Sequence, residues 1–222
     1  MSFGKNLQHL RRLSAGMTQE DLAEKLNVSR QTVSRWETDE AYPEMDKAIE
    51  LCRIFNCSMD HLFREELDSC DAEYSTLRTE TVPAFRYVKY AVISGDPETD
   101  ALKRVYGIAK ENGVDRAKVI GRDFPFVSQE QINVYHMHGY EAAWILPEGV
   151  TPKDVEIHEQ PAHRYAAIHI AHPFVNPFTT IPNAYRTLNE YMRINGLRHT
   201  DSGVIPCFET DGDSMDVYIA CE

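Results

Sequence analysis

The chain has 222 residues, 42% hydrophobic and 26% charged, and carries 35 Asp/Glu against 23 Lys/Arg for a formal net charge of −12. That length allows one large core or two small ones, and the composition is that of a soluble globular protein. No apolar run approaches the ~20 residues that a membrane-spanning helix needs, and the opening MSFGKNLQHLRR lacks the apolar core of a signal peptide, so a cytoplasmic protein with no membrane partner is expected.

The first 65 residues read as short helices. Leu7, Leu10 and Leu13 repeat at helical spacing. Thr18-Gln-Glu-Asp21 is a helix start, a hydroxyl cap with a carboxylate three residues on, and Leu22, Ala23 and Leu26 give that second helix its buried stripe. Asn27-Val28-Ser29 is a turn, and Ser29 caps a third helix. Met45, Ala48, Ile49, Cys52 and Phe55 form the stripe of a fourth, and Ser58 caps a short fifth. The polar, acidic stretch 67–81 reads as a linker.

From Val82 the pattern becomes α+β. Phe85–Ile93 reads as a strand. Asp96-Pro97 opens a helix that Asn112-Gly113 ends, and Val119–Phe126 and Asn133–Leu146 read as strands. A second round follows, with a strand at Tyr165–Ala171, a Pro-rich loop at 172–178, a helix from about Ile181 to Asn195-Gly196, and strands at Val204–Thr210 and Asp216–Cys221. The two rounds share the order β-α-β-β, and Gly113 and Gly196 end corresponding helices. The expected fold class is an α-helical five-helix bundle over 1–66, a linker over 67–81, and an α+β domain over 82–222 made of two β-α-β-β repeats around a ligand cleft.

Charge is uneven. Residues 1–65 hold nine Lys/Arg against eleven Asp/Glu, and residues 66–222 hold fourteen against twenty-four, so most of the acidity lies outside the opening helices. The segment SRQTVSRWE (29–37) concentrates polar groups on what reads as the second helix of a helix-turn-helix. Arg30, Gln31 and Thr32 occupy the turn that reaches furthest into a major groove, where Arg pairs with guanine and Gln with adenine. Ser34 and Arg35 follow one turn later, Val33 and Trp36 face inward, and Gln19 stands where a side chain and free helix N–H groups meet a phosphate. Met17 to Phe63, with TQEDLA, VSRQTVSRWE and YP in register, resembles the lambda-repressor/Cro-type helix-turn-helix of XRE-family regulators. The resemblance implies that Gln19 touches the DNA backbone and that Arg30, Gln31, Thr32 and Arg35 face DNA. Asn27 replaces the family's usual Gly, and Asn also tolerates a left-handed backbone.

In the larger region, GYEAAWILPEG (139–149), HRYAAIHIAH (163–172), IPNAYRTLNEYMRINGL (181–197) and VIPCFETDGDSMDVYIACE (204–222) resemble the GyrI-like effector-binding domain. That resemblance implies a cleft of aromatic residues and one acidic residue for an amphipathic, often cationic, small molecule. Glu209 matches the acidic position, and Tyr140, Trp144, Tyr185 and Phe124 are the aromatic candidates. Tyr140 and Trp144 share a strand face, so Glu141 points the other way. A poorly solvated carboxylate among aromatic rings favours a stacked cation.

His136 and His138 share a strand face and His169 and His172 are three apart, without a third ligand nearby, so neither a metal nor another cofactor is expected. Five cysteines (52, 57, 70, 207, 221), without a CxxC pair, read as reduced packing thiols. The expected function is a non-enzymatic, sequence-specific transcriptional regulator that binds a double-stranded DNA operator as a homodimer and responds to a small-molecule effector. Two alternatives stay open for 82–222: a hydrolase of reactive small molecules that uses Glu209, and a domain that sequesters a protein.

Overall fold

A computed structural model describes residues 2–65, 67, 74–124, 126–200 and 203–222. Cys70 and most of the first half of the expected linker lie outside the described residues. Two compact units emerge, one of Met1–Leu77 with Phe174–Arg198, the other of Arg78–Pro173 with His199–Glu222. This division differs from the expected boundaries, because the helix of the second β-α-β-β round groups with the N-terminal helices.

The first unit holds α1 (Phe3–Leu13), α2 (Gln19–Leu26), α3 (Arg30–Glu37), α4 (Met45–Ile54), α5 (Met59–Phe63) and the later α8 (Pro177–Ile194). Its local starts follow the sequence signals. Thr18 and Asp21 form a reciprocal capping box at α2, and Ser29 and Ser58 accept from Thr32 N and His61 N at α3 and α5. Asn27 ends α2 at φ 53°, ψ 48°, the left-handed conformation that Asn tolerates. Leu7, Leu10, Leu22, Leu26, Val33, Trp36, Leu51, Phe55 and Leu62 fuse into one core, with Ile194 of α8 packed against it. Met45 and Ile49 depart from the expected stripe: both are exposed, and Ala48, Leu51 and Phe55 carry the burial of α4 instead.

A buried ion pair locks α3. Arg11 Nε donates to Glu37 Oε1 at 2.6 Å and its second nitrogen to Oε2 at 3.0 Å, while Gln19 Nε2 donates to Oε2 at 2.9 Å. Gly4 lets α1 approach closely, since a methyl there would fall 2.5 Å from Glu37 O.

The second unit is built on an antiparallel sheet of β1 (Tyr74–Val82), β2 (Phe85–Ser94), β3 (Lys118–Asp123), β4 (His138–Ile145), β5 (His158–Gln160), β6 (His163–Ile170), β7 (Cys207–Thr210) and β8 (Met215–Ala220), in the order β1-β6-β8-β7-β3-β4-β2-β5. The triplets β3-β4-β2 and β7-β8-β6 repeat one pattern and meet at β3 and β7, where Ile120 faces Thr210 and Gly121 faces Glu209. Helix α6 (Pro97–Glu111) covers one face with Ala101, Val105 and Ala109, against Val88, Tyr140, Ala142 and Trp144. The alternating Ala143 and Ile145 join Ile120, Tyr165 and Phe208 on the other face.

Four expectations change. Residues 74–81 form β1 rather than linker. The run 133–146 is not one strand: a second capping box, Ser128 with Gln131, starts α7 (Gln129–Asn133), and the strand begins only at His138. His136 therefore sits in a turn at φ 51°, not beside His138 on a strand. Helix α8 starts at Pro177 and carries Pro182 inside it, so the Pro-rich loop is shorter than 172–178.

Among the described residues no helix is long and apolar enough to cross a membrane. Replacing Glu37 by Ala leaves the Arg11 guanidinium buried and unpaired. Urea unfolding of this variant should show a loss on the order of 3 kcal/mol in the transition of the first unit.

Candidate nucleic-acid interface and effector site

Helix α3 divides its side chains as its period requires. Val33 and Trp36 are 0% and 4% exposed and mount the helix on the core, while Arg30, Gln31 and Arg35 project into solvent. Thr32 and Ser34 are half-buried, and Thr32 Oγ1 lies 2.8 Å from Ser29 Oγ, so its hydroxyl is shared with the cap. Arg35 lies 4.0 Å from Glu40 with both side chains largely exposed, a pairing loose enough to be exchanged for another anion. Gln19 is the first residue of α2, and its amide is held by Glu37. The sequence anticipated its position but not this anchor, because Arg11, Gln19 and Glu37 are spread along three helices.

In the second unit Tyr140 and Glu209 come together. The Tyr140 ring, buried at 8% exposure, crosses β3 at Gly121, where a methyl group would fall 2.0 Å from the phenol oxygen. Gly121 is the strand partner of Glu209. Burial holds the Tyr140 phenol above its ordinary pKa, and the charges of Glu209, Glu98, Asp123 and Asp211 push the same way. Tyr106 donates to Asp211, and burial followed by that bond raises its phenol too. Glu98, although well exposed, titrates above the ordinary carboxylate range because nearby protein partly desolvates it and Asp211, Asp96 and Asp123 repel its charge.

Sequence reasoning missed Glu98, Tyr106, Asp123 and Asp211. The acid density of DPETD (96–100) and ETDGD (209–213) was the available signal. Such a set of carboxylates beside phenols lowers the potential for anions and attracts cations.

The other aromatic candidates occupy three different places. Trp144 is fully buried beneath α6, and its indole Nε1 has no hydrogen-bond partner among the described residues. Phe124 follows β3 and meets Phe126 edge-on at 5.3 Å. Tyr185 lies on α8 and so in the first unit. Glu141 points away from Tyr140, as alternation requires, and pairs with Arg122 at 2.9 Å and Lys89 at 3.2 Å.

These features match known proteins at the N-terminal end. Residues 8–62 fit the helix-turn-helix family. This stretch is therefore similar to the helix-turn-helix domains of known regulators. Over 66 residues this domain is 39% identical to the HTH-type transcriptional activator BcrR of Enterococcus faecalis, covering 30% of this chain and 32% of BcrR. It is 38% identical over 66 residues to the HTH-type transcriptional regulator ImmR of Bacillus subtilis, covering 30% of this chain and 51% of ImmR. The chain thus spans about a third and about half of these two relatives. In fold it resembles EcmrR, solved in a complex with DNA, at TM-score 0.50 and 14% identity over 93% of this chain and 85% of that one. The helix-turn-helix domain is thereby placed by sequence, and the N-terminal helical and C-terminal α+β architecture by fold.

Tyr140 supplies a titration test with a defined sign. With tyrosine labelled at Cζ, NMR should show the Tyr140 phenol titrating above the ordinary range. Glu209→Gln removes a repelling charge and should lower that pKa without bringing it back to the ordinary value, because burial persists.

Proposed function

We propose that this chain is a sequence-specific, DNA-binding transcriptional regulator of the cytoplasm that acts as a homodimer and takes a small aromatic or cationic amphipathic effector. The observation that carries the DNA reading is the division of α3, which seats Val33 and Trp36 in the core and leaves Arg30, Gln31 and Arg35 in solvent. Arg30 and Gln31 are the base-reading pair, with Thr32 and Ser34 beside them and Arg35 on the backbone. Gln19 keeps a second amide N–H beyond the one given to Glu37, enough for a phosphate at the start of α2. A single module of this size grips DNA weakly, so paired half-sites under two-fold symmetry are expected. Two matched relatives with regulatory names support this reading.

In the domain description this reading implies, the opening helices bind DNA and the sheet of the second unit senses the effector. Tyr140, held against Gly121 and beside Glu209, is the centre of the sensing site. Trp144 shares the buried cluster of Tyr140, and Phe124 directly follows β3. The carboxylates near Tyr140 set the preference for positive charge.

Two measurements test the proposal. Duplexes selected by the protein from a random-sequence pool should share a two-fold motif, and Arg30→Ala/Gln31→Ala should weaken binding to them by about 2–6 kcal/mol with the fold intact. Unchanged binding would remove the DNA assignment. Without DNA, a cationic aromatic probe such as ethidium should bind wild type and lose at least about tenfold in affinity for Glu209→Gln, whereas the affinity of a neutral aromatic of similar size should change little with that substitution.

A further inference from the structure

Helix α8 belongs by sequence order to the sensing region, yet it packs in the DNA-binding unit. Both of its ends run by chain into strands of the second unit, β6 before it and β7 after it. Its attachments are specific. Glu190, whose side chain is 10% exposed, lies 3.1 Å from His9 Nε2 of α1 and 2.5 Å from His61 Nε2 of α5. Arg193 donates to Phe55 O at 3.0 Å, Asn56 donates back to Arg193 O at 3.2 Å, and Asn195 donates to Leu13 O at 2.9 Å.

His61 is the unusual member. Its Nε2 meets Glu190 and its Nδ1 meets Glu65 Oε2 at 2.8 Å. A neutral imidazole has one N–H, so one of those contacts would set a lone pair against a carboxylate oxygen. Both are satisfied when the ring carries two protons. Glu190 is fit to remain the anion in this arrangement. Burial raises its pKa, but the hydrogen bonds and charges of His9 and His61 prevail and leave it below the usual value. The other charged or titratable groups around Glu190 are Arg193 and Arg186 on its own helix, Glu65 beyond His61, and Cys57 before α5.

The clamp also leads to α3. His9 lies two residues before Arg11 on α1, and Arg11 holds Glu37 at the end of α3. We propose that α8 is a proton-dependent regulatory strut of the DNA-binding unit, clamped by Glu190 on His9 and His61 and loosened when His61 loses its second proton. This inference rests on the DNA-binding reading above. It adds the regulation of that site: the docked strut holds α1, and through Arg11 and Glu37 the seating of α3. Because the docked form holds the extra proton, linkage makes docking weaken as pH rises.

The test uses the full chain and a duplex taken from the random-sequence selection, at constant ionic strength. Wild-type affinity should fall several-fold between about pH 6.5 and about pH 8.5. His61→Gln should be flat across that range at the weaker level, and Glu190→Gln should be flat as well, with faster amide hydrogen exchange in α1 and α5. His9→Gln should keep the pH slope, since His61 retains its contacts with Glu190 and Glu65. Far-UV circular dichroism establishes that each variant is folded, and His61→Gln carries the test if Glu190→Gln does not fold. Superimposable pH profiles for wild type and folded His61→Gln overturn the inference. If Arg30→Ala/Gln31→Ala abolishes binding in the same assay, the DNA-binding reading survives that result. If the double variant binds as wild type does, the DNA-binding reading itself has failed.

Discussion

The placement of α3 depends on one buried ion pair. A recognition helix of eight residues is too short to hold itself in water, and its stability must come from packing. Val33 and Trp36 supply that packing along one stripe, but a stripe alone leaves the helix free to rock about its axis. Arg11, bidentate on Glu37 and joined by Gln19, fixes the C-terminal end to both α1 and α2. The Glu37 side chain is only 2% exposed, so neither partner can leave without stranding the other in low dielectric. Arg30 and Gln31 can then project from a fixed base.

A comparable constraint organises the sheet. The β3/β7 seam is where the two strand triplets meet, and a side chain at Gly121 would collide with the Tyr140 ring. Absence of a side chain is therefore what allows a buried phenol to lie across β3 next to the strand that carries Glu209. The same crowding raises the proton affinity of Tyr140 and Glu98. A cation entering here would relieve repulsion already present in the folded protein, which is a gain that a neutral ligand cannot obtain.

Local chemistry was legible in the sequence, and chemistry that acts across long separations was not. The caps at Thr18, Ser29 and Ser58, the left-handed Asn27, and the inward Val33 and Trp36 all follow from short-range rules. The order β-α-β-β followed as well, because alternation and helix ends are also local. The α7 start was missed although Ser128 and Gln131 spell a capping box, since the β-branched and aromatic residues around it read as strand. By contrast, His9 and Glu190 are 181 residues apart, and Arg11 and Glu37 are 26 apart. No periodicity marks such pairs. Trp144 shares a strand face with Tyr140 as the spacing predicts, and its complete burial is set by α6, which no local pattern marks.

The charge distribution limits how an effector could be felt at the DNA. Fields between exposed charges fade over about 8 Å at physiological ionic strength, so neutralising the acids near Tyr140 acts by charge alone only on groups close by. A packed helix with docked and loosened arrangements transmits more, because a close-packed joint responds in steps rather than by gradual deformation. Under the proposal above, helix α8 would be such a joint: its chain runs at both ends into strands of the second unit, and a few directional bonds hold it in the first unit. Neighbouring bonds of that kind reinforce one another. On the proposed reading, regulation runs through the geometry of one helix rather than through the net charge of −12.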